Sequence, residues 1–409
     1  MTHPIIIIGA GLAGWTTARE FRKLDATTPV LLITADSGDF YAKPSLSNAF
    51  AQKRGPAQLV STLAGKMVET LKVTLLAHTQ VTAIHPETQT VSTAQGEFQF
   101  SQLVLATGAE PIRIPLGGNA ADQILSINSL NDFSAFHARL TCVSSYENSS
   151  ISGVAQHDGP ALANPADRHS LIMGAGLIGC EFANDLVASG YQVSVVDPSA
   201  GPMAALLPSE ASGQLRDVLQ AQGVNWHFGS TVKSVSLQAA AEVQAHALQV
   251  ELSNGRLAQV DIVLSAIGLR ANTHLAQAAG LQCERAIVVD AALQTSAANI
   301  FALGDGVQYA SAGHRSLPYV MPIMAAAKAL AATLAGTRTE VVFPLMPVAI
   351  KTPALPCVVA APAPGTVGEW RRVETGVWHF VDAMQQVRGF VLSGPQTSRR
   401  AEQAKWAVA

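Results

Sequence analysis

Residues 5–14 read IIIIGAGLAG, and this stretch decides the fold of the chain. Four isoleucines in a row predict a strand that is buried on both faces. The spacing of Gly9, Gly11 and Gly14 predicts a tight turn from that strand into a helix. The same arrangement recurs at residues 171–179, LIMGAGLIG. The chain therefore contains two copies of one strand–loop–helix unit.

The repeated pattern G-x-G-x-x-G is typical of dinucleotide-binding loops. Its first glycine permits the turn, its second lets the backbone approach a pyrophosphate, and its third lets helix and strand pack closely. The helix N-terminus adds partial positive charge. One copy is weak evidence because any glycine-rich turn can match, whereas two copies between strand and helix indicate two sites. The predicted binding residues are Gly9, Ala10, Gly11, Leu12 and Gly14 in the first copy, and Gly174, Gly176 and Gly179 in the second.

The strand after each loop helps to identify the nucleotide. In the second copy, residues 193–196 lead to Asp197, which stands 23 residues after Gly174. A carboxylate there can accept hydrogen bonds from both ribose hydroxyls of NAD and repels the 2′-phosphate of NADP, so NADH is favoured. In the first copy the strand ends in Thr34-Ala35-Asp36. Asp36 stands late for a ribose contact, and a solvated turn residue is an equal interpretation.

Three later segments indicate that the first site holds FAD. Residues 103–105 form a predicted strand ending in the turn Ala106-Thr107-Gly108, and residues 263–265 end in the same way at Gly268. A third short strand delivers Asp305 just before a helix. An aspartate there can hydrogen-bond a ribityl hydroxyl of a flavin, while the helix N-terminus faces the flavin.

Taken with these motifs, the sequence resembles the FAD-dependent pyridine nucleotide oxidoreductases. Within that family it is similar to the rubredoxin–NAD(+) reductases. The segments that carry the closer resemblance are YAKPSLS at 41–47, GAGLIGCEFAND at 174–185, SAIGLR at 265–270, YVMP at 319–322 and KTP at 351–353. The Thr34-Ala35-Asp36 ending also fits this subfamily.

The resemblance implies an α/β fold of the glutathione-reductase type, with two Rossmann-like dinucleotide-binding domains and a small α+β C-terminal domain. The FAD-binding domain is expected at residues 1–112 and 269–338, and the NAD-binding domain at 113–268. The C-terminal domain is expected at 339–409. A stretch rich in Ser, Asn and Pro at about 141–169 is longer than the link in relatives and predicts a surface loop insertion.

The resemblance also implies that NADH reduces FAD and that the flavin passes single electrons to rubredoxin. Lys43 would lie at the flavin, with Glu181 opposite it where the nicotinamide enters, and Asp305 would lie on the ribityl chain. The other implied FAD contacts are Thr34, Ala35, Val81, Val320 and Lys351.

Lys43 and Glu181 also have a physical interpretation of their own. Hydride arriving at flavin N5 puts negative charge on the ring, which a nearby ammonium stabilises. A carboxylate at Glu181 would keep Lys43 in place and ionised. The alternatives are a solvated lysine in a turn before Pro44 and a carboxylate favoured near a helix N-terminus.

Composition and cysteine usage narrow the function further. Apolar residues make up 48% of the 409 residues and the net charge is −3, so neither disorder nor nucleic-acid binding is indicated. No apolar stretch is long enough to span a membrane, and no signal peptide is evident, which predicts a soluble cytoplasmic protein. The four cysteines form no C-x-x-C, so no metal site is expected. Residues 40–50, where disulfide- and peroxide-reducing relatives carry cysteines, have none.

Electrons must then leave the flavin directly, to a carrier protein or to oxygen. Residues 341–409 hold seven basic and four acidic side chains. A basic rim around Arg371 and Arg372 could steer an acidic rubredoxin, although scattered surface charge is an equal interpretation. The alternatives for function are a reductase of a ferredoxin or a flavorubredoxin, and a redox-sensing flavoprotein with slow turnover.

Overall fold

The computed structural model describes residues 3–141, 163–238 and 248–407. Its helices are α1 (Leu12–Arg22), α2 (Pro56–Leu59), α3 (Ala64–Leu71), α4 (Leu130–Thr141), α5 (Leu177–Ala188), α6 (Ser209–Ala221), α7 (His274–Ala278), α8 (Val320–Leu334) and α9 (Arg400–Gln403). Its strands are β1 (Ile5–Ile8), β2 (Val30–Ile33), β3 (Phe40–Tyr41), β4 (Val60–Thr62), β5 (Thr74–Leu76), β6 (Val81–His85), β7 (Thr90–Thr93), β8 (Gly96–Gln99), β9 (Gln102–Leu105), β10 (Ala109–Pro111), β11 (His169–Met173), β12 (Gln192–Asp197), β13 (Val224–Phe228), β14 (Val232–Leu237), β15 (Leu248–Leu252), β16 (Leu257–Val260), β17 (Ile262–Ser265), β18 (Leu269–Ala271), β19 (Ile287–Val289), β20 (Ile300–Ala302), β21 (Val307–Tyr309), β22 (Val348–Ile350), β23 (Cys357–Ala360), β24 (Gly368–Glu374), β25 (Val377–Asp382) and β26 (Val387–Ser393).

The chain divides into two compact units, and the first takes in Met1–Ala42, Val60–Glu110 and Leu269–Met346. Its centre is a five-stranded parallel sheet in the order β20-β9-β1-β2-β5. Every residue of β1 is buried, as the four isoleucines predict for a strand covered on both faces. Helices α1 and α8 pack their small and apolar residues into the same core. The carboxyl ends of β1 and β9 therefore meet at one edge of this sheet, where Gly9 and Ala106 follow them.

The second unit takes in Lys43–Leu59, Pro111–Gly268 and Pro347–Ala409. It repeats the parallel arrangement in the four-stranded order β13-β12-β11-β17, beside an antiparallel sheet of β14, β15 and β16. Its C-terminal part is a five-stranded sheet in the order β22-β23-β26-β25-β24, in which every pairing is antiparallel. The short helix α9 follows that sheet.

The predicted fold class is confirmed, because both parallel dinucleotide-binding sheets and the small α+β C-terminal part are present. The predicted domain boundaries stay a prediction. Residues 142–162 of the predicted insertion lie outside the described residues, while its two ends are regular: Thr141 closes α4 and His169 opens β11. No helix of the described ranges is long and apolar enough to cross a membrane.

Candidate dinucleotide and redox site

The first glycine loop is shaped by close backbone packing. Gly9 has φ +106°, and a Cβ on it would collide with the carbonyl oxygen of Ala106. A Cβ on Gly14 would collide with the carbonyl oxygen of Gly9. Gly11 differs, because a Cβ there would meet no protein atom within 4 Å. Since Gly11 is the N-cap of α1, this open space adjoins the helix's unpaired N–H groups and fits the pyrophosphate of a dinucleotide.

The second glycine loop reproduces that geometry in the other unit. Gly174 has φ +101°, and its Cβ would press against the carbonyl oxygen of Ala266. A Cβ on Gly179 would collide with the carbonyl oxygen of Gly174. Around Gly176, the N-cap of α5, the space is again open. Both loops thus provide a cradle of the kind that a dinucleotide needs.

Asp197, which ends β12, and Asp36, which follows β2, accept hydrogen bonds from different kinds of donor. Asp197 Oδ2 accepts the N–H of Ala175 at 2.6 Å, and Oδ1 accepts the N–H of Ser199 at 2.7 Å. Asp197 therefore closes onto its glycine loop, beside the place where a ribose would lie. Asp36 instead accepts the Thr34 hydroxyl at 2.7 Å and the N–H of Gly38 at 3.0 Å. This geometry favours a turn role for Asp36 over a ribose role.

The remaining residues predicted for FAD lie mostly at the ends of first-unit elements. Thr34 and Ala35 follow β2, Val81 opens β6, Ala106 to Gly108 follow β9, Asp305 follows β20, and Val320 opens α8. Thr107 donates its hydroxyl to the carbonyl of Asn272 at 3.2 Å. In the second unit, Gly268 takes φ +115° after β17. Apart from Val81, which opens an antiparallel strand, and Val320, which opens a helix, these residues follow parallel strands, where ligands bind in such sheets.

The second unit brings Glu181 and Lys351 together in a buried ion pair. The ammonium of Lys351 lies 2.7 Å from Glu181 Oε2, and the backbone N–H of Lys351 donates to Oε1 at 2.9 Å. Ser47 donates its hydroxyl to the same Oε2 at 2.5 Å. The Glu181 side chain is 1% exposed and that of Lys351 is 29% exposed. Three donors thus compensate a carboxylate that would otherwise be costly to bury.

Lys43 contacts a residue that the sequence did not suggest. Its ammonium donates to Asn128 Oδ1 at 3.1 Å, and the side chain is exposed. The lysine that contacts Glu181 at 2.7 Å is Lys351, and the predicted pairing of Lys43 with Glu181 stays a prediction. Lys43 begins the 3₁₀ helix Lys43–Asn48, and Ser47, one turn later, is the member of that helix that reaches the carboxylate.

Sequence reasoning missed three residues of this site: Ser47, Asn128 and Asp185. Asp185 is 2% exposed, and its carboxylate accepts the backbone N–H groups of Phe50 and Ala51, each at 2.9 Å. Burial raises the pKa of Asp185, and the N–H donors partly offset that effect. The contacts of Ser47 and Asp185 span more than a hundred residues of sequence and leave no local pattern. The available signal in the sequence was three polar residues, Glu181, Asn184 and Asp185, in a helix that is otherwise apolar.

The cysteines of the described residues have no thiolate character. Cys180 and Cys357 are buried, and burial raises the pKa of both thiols, to about 12 for Cys357. Cys283 is half-buried with its pKa raised for the same reason. All three are free, and no metal-binding cluster occurs among the residues described. None of these three cysteines, within the part of the chain that the structure describes, therefore has the exposed, low-pKa character of a redox thiol.

The predicted basic rim is largely neutralised by ion pairs. Arg371 pairs with Glu369, and Arg372 pairs with Glu210 on α6. The other pairs are Arg388 with Asp382 and Arg399 with both Glu374 and Glu402. Arg400 and Lys405 form no ion pair within 248–407 or the other described ranges, and both are exposed. Any steering by positive charge would come from these two more than from Arg371 and Arg372.

Comparison with known proteins gives two consecutive matches along the chain. The family described as pyridine nucleotide-disulphide oxidoreductase matches residues 3–331. A rubredoxin-binding C-terminal domain matches residues 340–406. Together the two matches span nearly the whole chain.

Individual relatives cover most of both sequences. Rubredoxin-NAD(+) reductase from Acinetobacter baylyi is 41% identical over 97% of this chain and 96% of its own length. Nitric oxide reductase FlRd-NAD(+) reductase from Aeromonas salmonicida is 37% identical over 97% and 95%. Putidaredoxin reductase, solved in a covalent complex with putidaredoxin, shares the fold at a TM-score of 0.83, with 21% identity over 98% of this chain and 92% of that chain. A ferredoxin reductase from Rhodopseudomonas palustris gives a TM-score of 0.80, with 24% identity over 96% and 91%.

Proposed function

Because this chain belongs to the pyridine nucleotide-disulphide oxidoreductase family, we propose that it is an NADH-dependent flavoprotein that reduces rubredoxin. The observation that carries the proposal is the pair of equivalent glycine loops, joined to a C-terminal part that matches a rubredoxin-binding domain. When bound, FAD takes two electrons as hydride from NADH and can give them up one at a time.

In this proposal each glycine loop binds one dinucleotide. The loop of Gly9, Gly11 and Gly14 holds FAD, and the loop of Gly174, Gly176 and Gly179 holds NADH, with Asp197 accepting from the ribose. The remaining FAD contacts are the predicted ones: Ala10, Leu12, Thr34, Ala35, Lys43, Val81, Ala106, Thr107, Gly108, Asp305, Val320 and Lys351. Gly268 and Glu181 serve the NADH side.

The two lysines and Glu181 set the charge around the reaction. Glu181, compensated by Lys351 and Ser47, presents a fixed charge at the nicotinamide side. Lys351 and Lys43 supply positive charge that stabilises electron density arriving on the flavin. We place the reaction in the cytoplasm, which is supported by the free state of Cys180, Cys283 and Cys357.

The direct test is NADH-dependent reduction of cytochrome c by the purified yellow protein, with and without added rubredoxin. We expect strong stimulation by rubredoxin, and much weaker activity with NADPH. Rapid reduction of the flavin by NADH without stimulation would reject rubredoxin as the acceptor and move the proposal to another one-electron carrier. A flavin that NADH does not reduce would overturn the assignment of the second glycine loop.

A second candidate acceptor is a flavorubredoxin. It is supported by the similarity to the reductase from Aeromonas salmonicida, which is named for that function. The same assay with flavorubredoxin in place of rubredoxin separates the two by their kcat/KM values.

A docking role for positive charge is tested by two double variants. One combines Arg400→Glu with Lys405→Glu, and the other combines Arg371→Glu with Arg372→Glu. We expect the first pair to raise the KM for rubredoxin more, with reduction of a small dye unchanged.

A further inference from the structure

Helix α5 presents three buried polar side chains on one face, which we call the α5 polar face: Glu181, Asn184 and Asp185. Their spacing of three and four residues places them side by side on the helix. They are 1%, 3% and 2% exposed, respectively. Buried polar groups are costly unless they are bonded, so the partners of this face show what it does.

The first set of partners lies on the segment Lys43–Ala51. Ser47 donates to Glu181, and the N–H groups of Phe50 and Ala51 each donate to a separate oxygen of Asp185. Two adjacent N–H groups on one carboxylate fix the orientation of the backbone, which a single bond would not do. The Phe50 ring adds a second anchor, because it stacks on His137 and meets Phe133 edge-on.

The second set of partners lies on the segment Lys351–Ala354. The backbone N–H of Lys351 donates to Glu181 at 2.9 Å, and that of Ala354 donates to Asn184 Oδ1 at 3.1 Å. Thr352, between them, is fully buried and closes the turn onto the Leu355 carbonyl at 2.8 Å. One helix face therefore fixes the backbone on both sides of the Glu181 ion pair.

We propose that Asn184 and Asp185 are positioning residues for hydride transfer: they hold the two lysine-bearing segments in register with Glu181. The proposal rests on the proposed function, because it assigns a purpose to the placement of Lys43 and Lys351. Neither residue touches a reacting group in this account. They act through the backbone of the segments that carry Ser47, Lys43 and Lys351.

The test uses Asp185→Asn in the full-length holoprotein. The amide keeps one acceptor oxygen but turns an NH₂ donor toward the other N–H, so one bond to Lys43–Ala51 is lost. We expect full FAD content. The rate of flavin bleaching at saturating NADH should fall between about ten- and a hundredfold, the scale of a displaced reacting group. The KM for NADH should change by less than about twofold, because Asp185 makes none of the contacts that bind NADH before the reaction.

A readout independent of turnover comes from hydrogen–deuterium exchange. Peptides covering residues 43–51 should exchange faster in Asp185→Asn, whereas peptides from β1 should not. The matched control is Glu20→Gln, which removes a carboxylate at the equivalent place of helix α1, where Glu20 pairs with Lys23 at 2.6 Å. This control should reduce its flavin at the wild-type rate.

Three outcomes decide the matter. Faster exchange in 43–51 with an unchanged bleaching rate would make Asp185 a structural residue only and overturn the proposal, as would no change in either. If Asp185→Asn does not fold, Asn184→Ala takes its place, with exchange read in 351–354 and the same kinetic expectation. A wild-type flavin that NADH does not bleach would instead reject the proposed function, and the positioning role with it.

Discussion

The two glycine loops have the same backbone geometry, yet the helices that follow them differ in character. Gly11 and Gly176 both border open space, and the flanking glycines of both loops are crowded by backbone. Where α1 places Thr16, Arg19 and Glu20, however, α5 places Glu181, Asn184 and Asp185. Glu20 is paired with Lys23 near the surface, whereas the α5 polar face is buried and binds two other segments.

This difference separates two tasks that the repeat performs. A glycine loop needs only backbone and space, so the two copies preserve the same residues at the same spacing. The first helix then serves as part of a core: Trp15 is fully buried, with its ring N–H on the Gly38 carbonyl at 2.9 Å. Helix α5 instead carries buried polar and charged side chains that bind two other segments of the chain. The two copies therefore share the geometry of the glycine loop and differ in whether the helix that follows buries charged side chains.

The largest effect should come from blocking the open space at each loop. In Gly11→Val and Gly176→Val the new Cβ has no protein atom within 4 Å, and the side chain occupies the position assigned to a pyrophosphate. We expect Gly11→Val to be purified without flavin, its FAD affinity reduced by at least about a hundredfold, or about 2.7 kcal/mol. Gly176→Val should keep its FAD and lose NADH-dependent bleaching. Absorbance at the flavin band and fluorescence titration with FAD measure both.

The opposite pattern would exchange the two cofactor assignments. If both variants kept FAD and reacted normally with NADH, the loops would not be the dinucleotide sites. Circular dichroism of each variant controls for misfolding.

The next effect is on stability and concerns the buried charge that α5 carries and α1 lacks. Lys351→Met leaves Glu181 buried without its counter-ion, so the free energy of unfolding should fall by about 3–5 kcal/mol. Adding Glu181→Leu in the same chain should recover much of that loss. Thr16, at the position of α1 equivalent to Glu181, has a hydroxyl that contacts Met324 Sδ at 3.8 Å and accepts from the Arg19 guanidinium at 3.3 Å. Thr16→Val removes only this neutral hydroxyl and should cost about 1 kcal/mol.

Urea denaturation followed by circular dichroism measures these differences. Equal losses for Lys351→Met and Thr16→Val would mean that the ion pair does not anchor α5. A double variant no more stable than Lys351→Met would place the loss elsewhere.

These contacts also show how far the sequence could predict the molecule. The loops were predictable because only glycine fits where neighbouring backbone is too close for a Cβ, and these positions recur at a fixed spacing. The α/β class followed from the same residues and from fully apolar strands such as β1. The partner of Glu181 was not predictable, because Lys43 and Lys351 were both available and only tertiary packing selects between them. Ser47 donates to the distant carboxylate of Glu181, and Asp185 accepts from the backbone N–H groups of Phe50 and Ala51. Contacts of this kind leave no periodic pattern in the sequence.

A smaller effect distinguishes the two acidic residues found at or after the second strand of each copy, Asp197 at the end of β12 and Asp36 three residues beyond β2. Asp197→Ser should shift the ratio of kcat/KM for NADH over NADPH by about tenfold toward NADPH, near the value of one charged hydrogen bond. The ratio is informative because loosening of Ala175 would affect both nucleotides alike. Asp36→Ser, which removes the carboxylate that follows the second strand of the first copy, should leave the ratio unchanged. An unchanged ratio in Asp197→Ser would remove Asp197 from the ribose site.

The smallest effect is a pH dependence that burial gives to Asp185 on the α5 polar face. Burial raises the pKa of Asp185 in the folded protein above its unfolded value of about 3.9. Its contribution to stability is then complete below about pH 3.9 and is lost as pH rises through the folded pKa, because the unfolded chain ionises first. Asp185→Asn does not titrate, so its free energy of unfolding should improve relative to wild type across that interval. Urea denaturation at several pH values measures the difference, with Glu20→Gln as the matched loss of a carboxylate in the first copy. A difference independent of pH would mean that the N–H groups of Phe50 and Ala51 fully offset burial, so that the pKa of Asp185 does not change on folding.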